Sequence, residues 1–113
     1  MSNFVWTPAI DQIVPVLNVT FLMHRDESGL CQAHRVGIPE FSIINFIKEQ
    51  LPEGGTFIDA GAHMGVYSVY LSDNFKEIYA FEPQRRTFHQ LCGNLFVNEI
   101  TNVTAINKAL SNT

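Results

Sequence analysis

Residues 54–72, GGTFIDAGAHMGVYSVYLS, constrain the fold more than any other part of this chain. A short apolar run reaches the acidic residue Asp59, and mainly small residues then follow as far as Gly65, where a helical apolar pattern begins. Glycine adopts backbone angles that a Cβ forbids, and small residues allow the backbone to approach a ligand closely. The helix after such a turn also directs its unpaired N–H groups at the turn. The order predicts a strand, a glycine turn and a helix. Such turns are common connections, so ligand binding stays open at this point.

The apolar periodicity predicts alternating strands and helices from residue 39 onward. The predicted strands are residues 56–60, 76–81 and 103–106, and the predicted helices are residues 39–51, 65–72 and 83–98. The inward positions of the first helix would be Phe41, Ile44, Ile47 and Leu51, and those of the last would be Phe88, Leu91, Leu95 and Phe96. The order β-α-β-α-β is one half of a doubly wound fold. We therefore expect an α/β chain with an incomplete doubly wound, Rossmann-like parallel sheet, whose first strand is buried on both faces.

The N-terminal third has a different pattern. Residues 13–23 are rich in β-branched and aromatic residues and predict a strand. Residues 26–29 predict a turn and residues 30–36 a second strand, which together would make a hairpin. We expect one domain overall, with residues 1–38 as an N-terminal extension and residues 39–113 as the half-domain.

Composition and charge exclude several function classes. The net charge is −4 and the seven Lys and Arg residues are scattered, which argues against nucleic-acid binding. The most apolar segment, residues 13–23, is too short to span a bilayer, so no membrane association is expected. Cys31 and Cys92 form no CxxC pair, which favours reduced thiols and a cytoplasmic location. His24, His34 and His89 lack metal-ligand spacing, so we expect no metal site.

A carboxylate at the end of the second predicted strand strengthens the case for a ligand. Glu82 follows Gly61 by 21 residues. Dinucleotide-type folds place an acidic residue near this position, where it accepts hydrogen bonds from ribose hydroxyls. The alternative is that Glu82 only favours the start of the following helix. Arg85 and Arg86 come next, and they either lie on a solvated face or contact the same ligand.

Three successive blocks resemble the FkbM-type methyltransferases, which are S-adenosylmethionine-dependent enzymes of the class I, Rossmann-like fold. The blocks are FIDAGAHMGVYSVYLS, IYAFEPQRRTFHQLCGNLFVN and NVTAINKALSN, and they cover about half of the chain. The residues that match the family patterns are Asp59, Gly61, Ala62, Gly65, Tyr67 and Ser68 in the first block, Phe81, Glu82, Pro83, Asn94 and Asn98 in the second, and Ala109, Leu110 and Ser111 in the third.

The resemblance implies a cofactor, S-adenosylmethionine, and transfer of its methyl group to an oxygen. The residues it implies for cofactor binding are Asp59, Gly61, Ala62, His63, Gly65, Glu82, Pro83, Lys108 and Ala109. The glycine turn would line the methionine part, Glu82 would hold the ribose, and residues 108–109 would border the adenine. One position departs from the family pattern, since His63 stands where asparagine is usual. Histidine is larger and titrates near neutral pH, so affinity or its pH dependence would differ. His63 could instead cap the helix that follows.

The resemblance also implies what this chain lacks. In that family the acceptor site comes from the fourth strand onward, which would follow Thr113, so no residue is named as catalytic. Without that strand the edge of residues 56–60 would be open, and we expect it to be covered by residues 13–23 or by self-association into a homo-oligomer.

Three other interpretations stay open. The chain would be a half-domain that binds the cofactor without chemistry, or an oligomeric structural remnant that binds nothing, or a nicotinamide-binding domain. The last lacks the third glycine of the dinucleotide fingerprint.

Overall fold

The computed structural model describes residues 10–16, 19–24, 41–51 and 53–111. Five strands and three helices occur in these residues. In chain order they are β1 (Ile10–Val16), β2 (Val19–His24), α1 (Phe41–Gln50), β3 (Thr56–Ala60), α2 (Val66–Leu71), β4 (Glu77–Phe81), α3 (Arg85–Val97) and β5 (Val103–Ile106). The series β3-α2-β4-α3-β5 confirms the predicted α/β class, with a small parallel sheet in the order β3-β4-β5.

The register of this sheet aligns the carboxyl ends of its three strands. Ala60 pairs with Phe81, and Phe81 pairs with Ile106. Two backbone bonds continue the alignment, from Ala62 N–H to the Phe81 carbonyl at 2.9 Å and from Glu82 N–H to the Ile106 carbonyl at 3.0 Å. The residues just after the strands therefore lie next to one another.

One face of the sheet forms the core. Ile78 and Ala80 of β4 are completely buried on this face, together with side chains from all three helices. The helix residues in this cluster are Ile44, Val69, Tyr70, Leu71, Leu91 and Leu95. A Cβ on Gly65 would lie 2.7 Å from Leu91 Cδ1. The absence of a side chain at Gly65 therefore lets the start of α2 pack closely against α3.

The other face of β3 is exposed, so the prediction that this strand is buried on both faces is wrong. Side chains alternate along a strand. Phe57 packs against Phe75, with ring centroids 5.1 Å apart, and Asp59 is buried on the same side. Ile58 points the opposite way and remains 51% exposed.

The N-terminal segment folds differently from the prediction. β1 and β2 form an antiparallel hairpin in which Val16 pairs with Val19, so the chain reverses inside the single strand predicted for residues 13–23. The overlooked signal is Asn18, a turn-favouring residue within an apolar run. The predicted turn at residues 26–29 and strand at residues 30–36 lie outside the described residues.

The hairpin packs against α3 and the core, whereas the parallel sheet contains only β3, β4 and β5 in the described residues. Phe21 is completely buried, and its ring lies 5.7 Å from that of Tyr70. Phe41 meets Tyr70 edge to face at 5.3 Å, so one aromatic cluster joins hairpin, α1 and α2. Burial raises the pKa of Tyr70 to about 12.

Two of the predicted inward positions are wrong. Leu51 follows the last residue of α1 and is 46% exposed, and Phe96 of α3 is 85% exposed. Phe96 comes one residue after the buried Leu95, and one residue turns a helix by about 100°. Every helix in the described part of the chain is too short or too polar to cross a bilayer.

Candidate functional site

The residues that follow the three parallel strands form the candidate site. They are Gly61 after β3, Glu82 after β4 and Asn107 after β5, and we call this region the carboxyl edge. In open α/β sheets, ligands bind in the crevice beyond the carboxyl ends of the strands. The register described above therefore places three chain segments at the position where this class of fold holds its ligands.

The glycine turn, residues 61–65, has an unusual backbone. Three of its residues have positive φ angles: 70° at Gly61, 54° at His63 and 102° at Gly65. Glycine tolerates this left-handed region, and among other residues asparagine, aspartate and histidine are enriched there. The asparagine of the family pattern and the histidine of this chain are both suited to position 63 for that reason. A Cβ on Gly61 would meet no atom within 4 Å, so the space beside it is open.

Glu82 and the glycine turn are joined directly. The Oε1 atom of Glu82 accepts a hydrogen bond from the backbone N–H of His63 at 2.9 Å. Its Oε2 atom accepts one from the N–H of Gln84, also at 2.9 Å. Glu82 is 6% exposed. A carboxylate has about four acceptor positions, so these two bonds leave each oxygen able to accept another. The two features that sequence reasoning expected to lie together are in contact.

Asn107 is a member of the carboxyl edge that sequence reasoning missed. Its Nδ2 donates to the carbonyls of Glu82 at 2.9 Å and Pro83 at 3.0 Å. These bonds fasten the loop between β4 and α3 to the end of β5. The available signal was a side-chain amide in the first position after a predicted strand. Lys108 and Ala109, which the resemblance named, follow it and are exposed.

Asp59, the fourth residue of β3, is buried and bonded to the next helix. Its Oδ2 accepts a hydrogen bond from the Ser68 hydroxyl at 2.7 Å, and the pair is buried. Burial raises the pKa of Asp59 above its usual 3.8, and the hydrogen bonds from Ser68 oppose that rise. Asp59 thus links the end of β3 to α2.

The remaining residues predicted to bind the cofactor form a buried group and an exposed group. Ala62 and Gly65 are buried in the turn, whereas Gly61, His63 and Pro83 are exposed together with residues 108–109. Gly65 is the N-cap of α2, so His63 does not cap that helix.

Two basic residues follow the carboxyl edge along the chain. Arg85 and Arg86 occupy the first turn of α3 and both are exposed. Among the described residues, no group of three or more His, Cys, Asp or Glu side chains could hold a metal ion. His89 is exposed on α3, and Cys92 is a free thiol whose pKa is raised by burial.

A separate cavity of about 510 Å³ lies on the helical side of the molecule. Its lining comes from β2, α1, α2 and the segment that ends α3, and includes Phe41, Tyr70 and Asn98. None of its lining residues belongs to the predicted cofactor set, so we place the candidate site at the carboxyl edge.

Three solved structures similar to this chain are an AdoMet complex, an rRNA methylase and an SAH complex. TYW2 from M. jannaschii, in complex with AdoMet, aligns with a TM-score of 0.67 and 18% identity over 94% of this chain and 47% of that one. An rRNA methylase from Streptococcus thermophilus aligns with a TM-score of 0.58 and 24% identity over 64% of this chain and 43% of that one. A Streptococcus mutans protein in complex with SAH aligns with a TM-score of 0.58 and 28% identity over 64% of this chain and 41% of that one.

These similarities show the fold of a Rossmann-like methyltransferase half-domain. The chain spans less than half of the length of each of these three proteins. No family model matches the sequence. No curated protein matches it either.

Proposed function

We propose that this chain is the cofactor-binding part of an S-adenosylmethionine-dependent methyltransferase of the FkbM type, acting on an oxygen nucleophile. The observation that carries the proposal is the contact between Glu82 and the glycine turn at the carboxyl edge, a 2.9 Å hydrogen bond between two segments 19 residues apart. The FkbM type and the oxygen acceptor rest on the three sequence blocks.

The described residues fit such a cofactor. The carboxylate of Glu82 is held in place by two backbone N–H groups and keeps acceptor positions for ribose hydroxyls. The open space beside Gly61 allows the methionine part to approach the backbone. The exposed residues 108–109 would border the adenine. Two of the similar proteins are in complex with AdoMet and SAH, which supports this choice of ligand.

The role of this chain in catalysis would be positioning. The bound cofactor supplies an activated methyl group, and a methyl transfer then requires an acceptor aligned with it. The turn and Glu82 would hold the nucleoside and the methionine part in one orientation at the edge of the sheet. The acceptor site would be supplied by further polypeptide, in keeping with the greater length of the similar proteins.

Calorimetric titration of the folded chain with S-adenosylhomocysteine tests the proposal, with NAD⁺ as the competing ligand. We expect saturable one-to-one binding of S-adenosylhomocysteine and none of NAD⁺. Binding of NAD⁺ alone would favour the nicotinamide alternative. Binding of neither ligand by a chain that circular dichroism shows to be folded would contradict both ligand-based functions and leave the structural remnant.

A further inference from the structure

Three amide side chains are spaced by four residues along α3 and its C-terminal end. They are Gln90, Asn94 and Asn98, which we call the amide row. Residues four apart lie on the same side of a helix. The row therefore presents a line of amide groups to whatever packs beside α3, and that neighbour is β2.

The amide row pairs with the outer edge of β2. Asn98 contacts both backbone groups of Thr20, accepting from its N–H at 3.0 Å and donating to its carbonyl at 2.8 Å. At Leu22, Gln90 donates to the carbonyl and Asn94 accepts from the N–H, both at 2.7 Å. The N–H and C=O groups of alternate residues are thus satisfied, as a neighbouring strand would satisfy them.

Asn94 also contacts the glycine turn. Its Nδ2 donates to the carbonyl of Met64 at 2.9 Å, and the residue is completely buried. Met64 lies between His63 and Gly65, two of the turn residues with positive φ. One buried amide therefore bonds the hairpin through its oxygen and the turn through its nitrogen.

We propose that Asn94 is a positioning residue for the glycine turn and that the hairpin β1–β2 orients its amide. The N–H of Leu22 bonds only the oxygen of the amide, which directs the nitrogen to the Met64 carbonyl. Left-handed residues cost free energy and persist only where their surroundings hold them. This inference rests on the proposed function, because it assigns the turn to the cofactor. Coupling is reciprocal, so a cofactor on the turn also stabilises the docked hairpin.

A matched pair of substitutions tests this role, namely Asn94→Asp and Asn98→Asp. Each new carboxylate keeps an oxygen for the strand N–H and loses the amide donor. In Asn94 that donor bonds the Met64 carbonyl of the turn, whereas in Asn98 it bonds the carbonyls of Thr20 and Asn94, outside the turn. We expect Asn94→Asp to weaken S-adenosylhomocysteine binding about tenfold and Asn98→Asp by less than about threefold, on the usual scale of one hydrogen bond. Equal losses in the two variants would overturn the inference while leaving the proposed function intact.

Hydrogen exchange of the Leu22 amide gives a second measurement that does not depend on the folding of a variant. In the wild-type chain, saturating S-adenosylhomocysteine should slow this exchange several-fold. A purely structural role for Asn94 would leave the exchange rate insensitive to the ligand, and that result would overturn the coupling. A wild-type chain that binds no S-adenosylhomocysteine would instead contradict the proposed function and this inference together.

Discussion

The outer edges of β2 and β3 differ in how their backbone groups are paired. The edge of β2 is covered by the amide row, which bonds the N–H and C=O groups of Thr20 and Leu22. β3 is an edge strand of its sheet, and within the described residues no strand pairs with its outer side. The difference shows that side chains of a single helix can close one strand edge while another, which begins 32 residues later in the sequence, has no strand partner among the described residues.

The edges also differ in what they support. Asn94, which bonds the covered edge of β2, also bonds the glycine turn at the carboxyl edge, so this covered edge helps to hold the candidate site. On β3 the side chain of Ile58 is exposed, and no charged residue of β3 lies on the same face. An uncharged open edge favours pairing with another chain. We propose that copies of this chain self-associate through that edge.

The largest effect is expected for a substitution that removes one of the amide side chains covering the edge of β2. Asn94→Leu would leave the Leu22 N–H and the Met64 carbonyl buried without partners. The free energy of unfolding should fall by about 3 kcal/mol, since each unsatisfied buried group costs about 1–3 kcal/mol. Urea denaturation measures the change, with the exposed Asn45→Leu as a control. A loss no greater than that of the control would show that the amide row contributes little stability.

The second-largest effect is expected for a substitution of Glu82 at the carboxyl edge. Glu82→Gln keeps an oxygen for the His63 N–H but removes the charge and one acceptor. We expect binding of S-adenosylhomocysteine to weaken by roughly 1–3 kcal/mol, because charge-assisted hydrogen bonds are lost. Glu77→Gln, at the opposite end of β4 and exposed, should bind as the wild type does. Unchanged affinity in the Glu82 variant would remove the ribose contact from the proposal.

The buried carboxyl group of Asp59 predicts that the free energy of unfolding depends on pH. Because burial raises its pKa above 3.8, the folded chain holds this proton more tightly than the unfolded chain does. The resulting stabilisation is fully present below the unfolded pKa and is lost as pH rises through the folded pKa. Asp59→Asn should therefore flatten the decline of unfolding free energy between acidic and neutral pH.

Denaturation across that pH range checks this expectation. Asp73→Asn is a suitable control, since Asp73 is 81% exposed and makes only a 3.5 Å contact with Lys48 among the ion pairs described. If the variant at position 59 retained the wild-type pH profile, another group would be responsible for it.

The smallest effect on stability is expected at the open edge. Ile58→Lys places a charge on a side chain that is already 51% exposed, so the free energy of unfolding should change by less than about 0.5 kcal/mol. The mass in solution should nevertheless fall to that of a monomer, as measured by light scattering. Phe57→Lys is a poorer test, because Phe57 packs against Phe75 and the change would disturb the core. A wild-type chain that is already monomeric would contradict self-association.

Local patterns predicted most of the parallel sheet. Strand β5 was predicted with its observed bounds, and β3 likewise, because short apolar runs between glycine, proline and polar residues have few alternatives. That Glu82 lies beside the turn also followed from sequence, since aligned parallel strands bring their carboxyl ends together. The hydrogen bond between them did not.

Other features were not predicted. The reversal between β1 and β2 and the exposure of Phe96 have local signals that were overlooked, whereas the bonds of Asn107 join residues 25 apart in the chain. Asn94 and Asn98 stood out only as matches to a family pattern, with no sign that they bond a strand some 70 residues earlier in the chain.

The sequence by itself determined the order of strands and helices after the hairpin, the glycine turn and the carboxylate that follows β4, because these depend on local periodicity and backbone freedom. The tertiary structure alone decided which strand edge is covered and which side chains join the hairpin to the turn. Hydrogen bonds between residues far apart in the chain depend on how helices and strands pack, and local patterns carry no record of that packing.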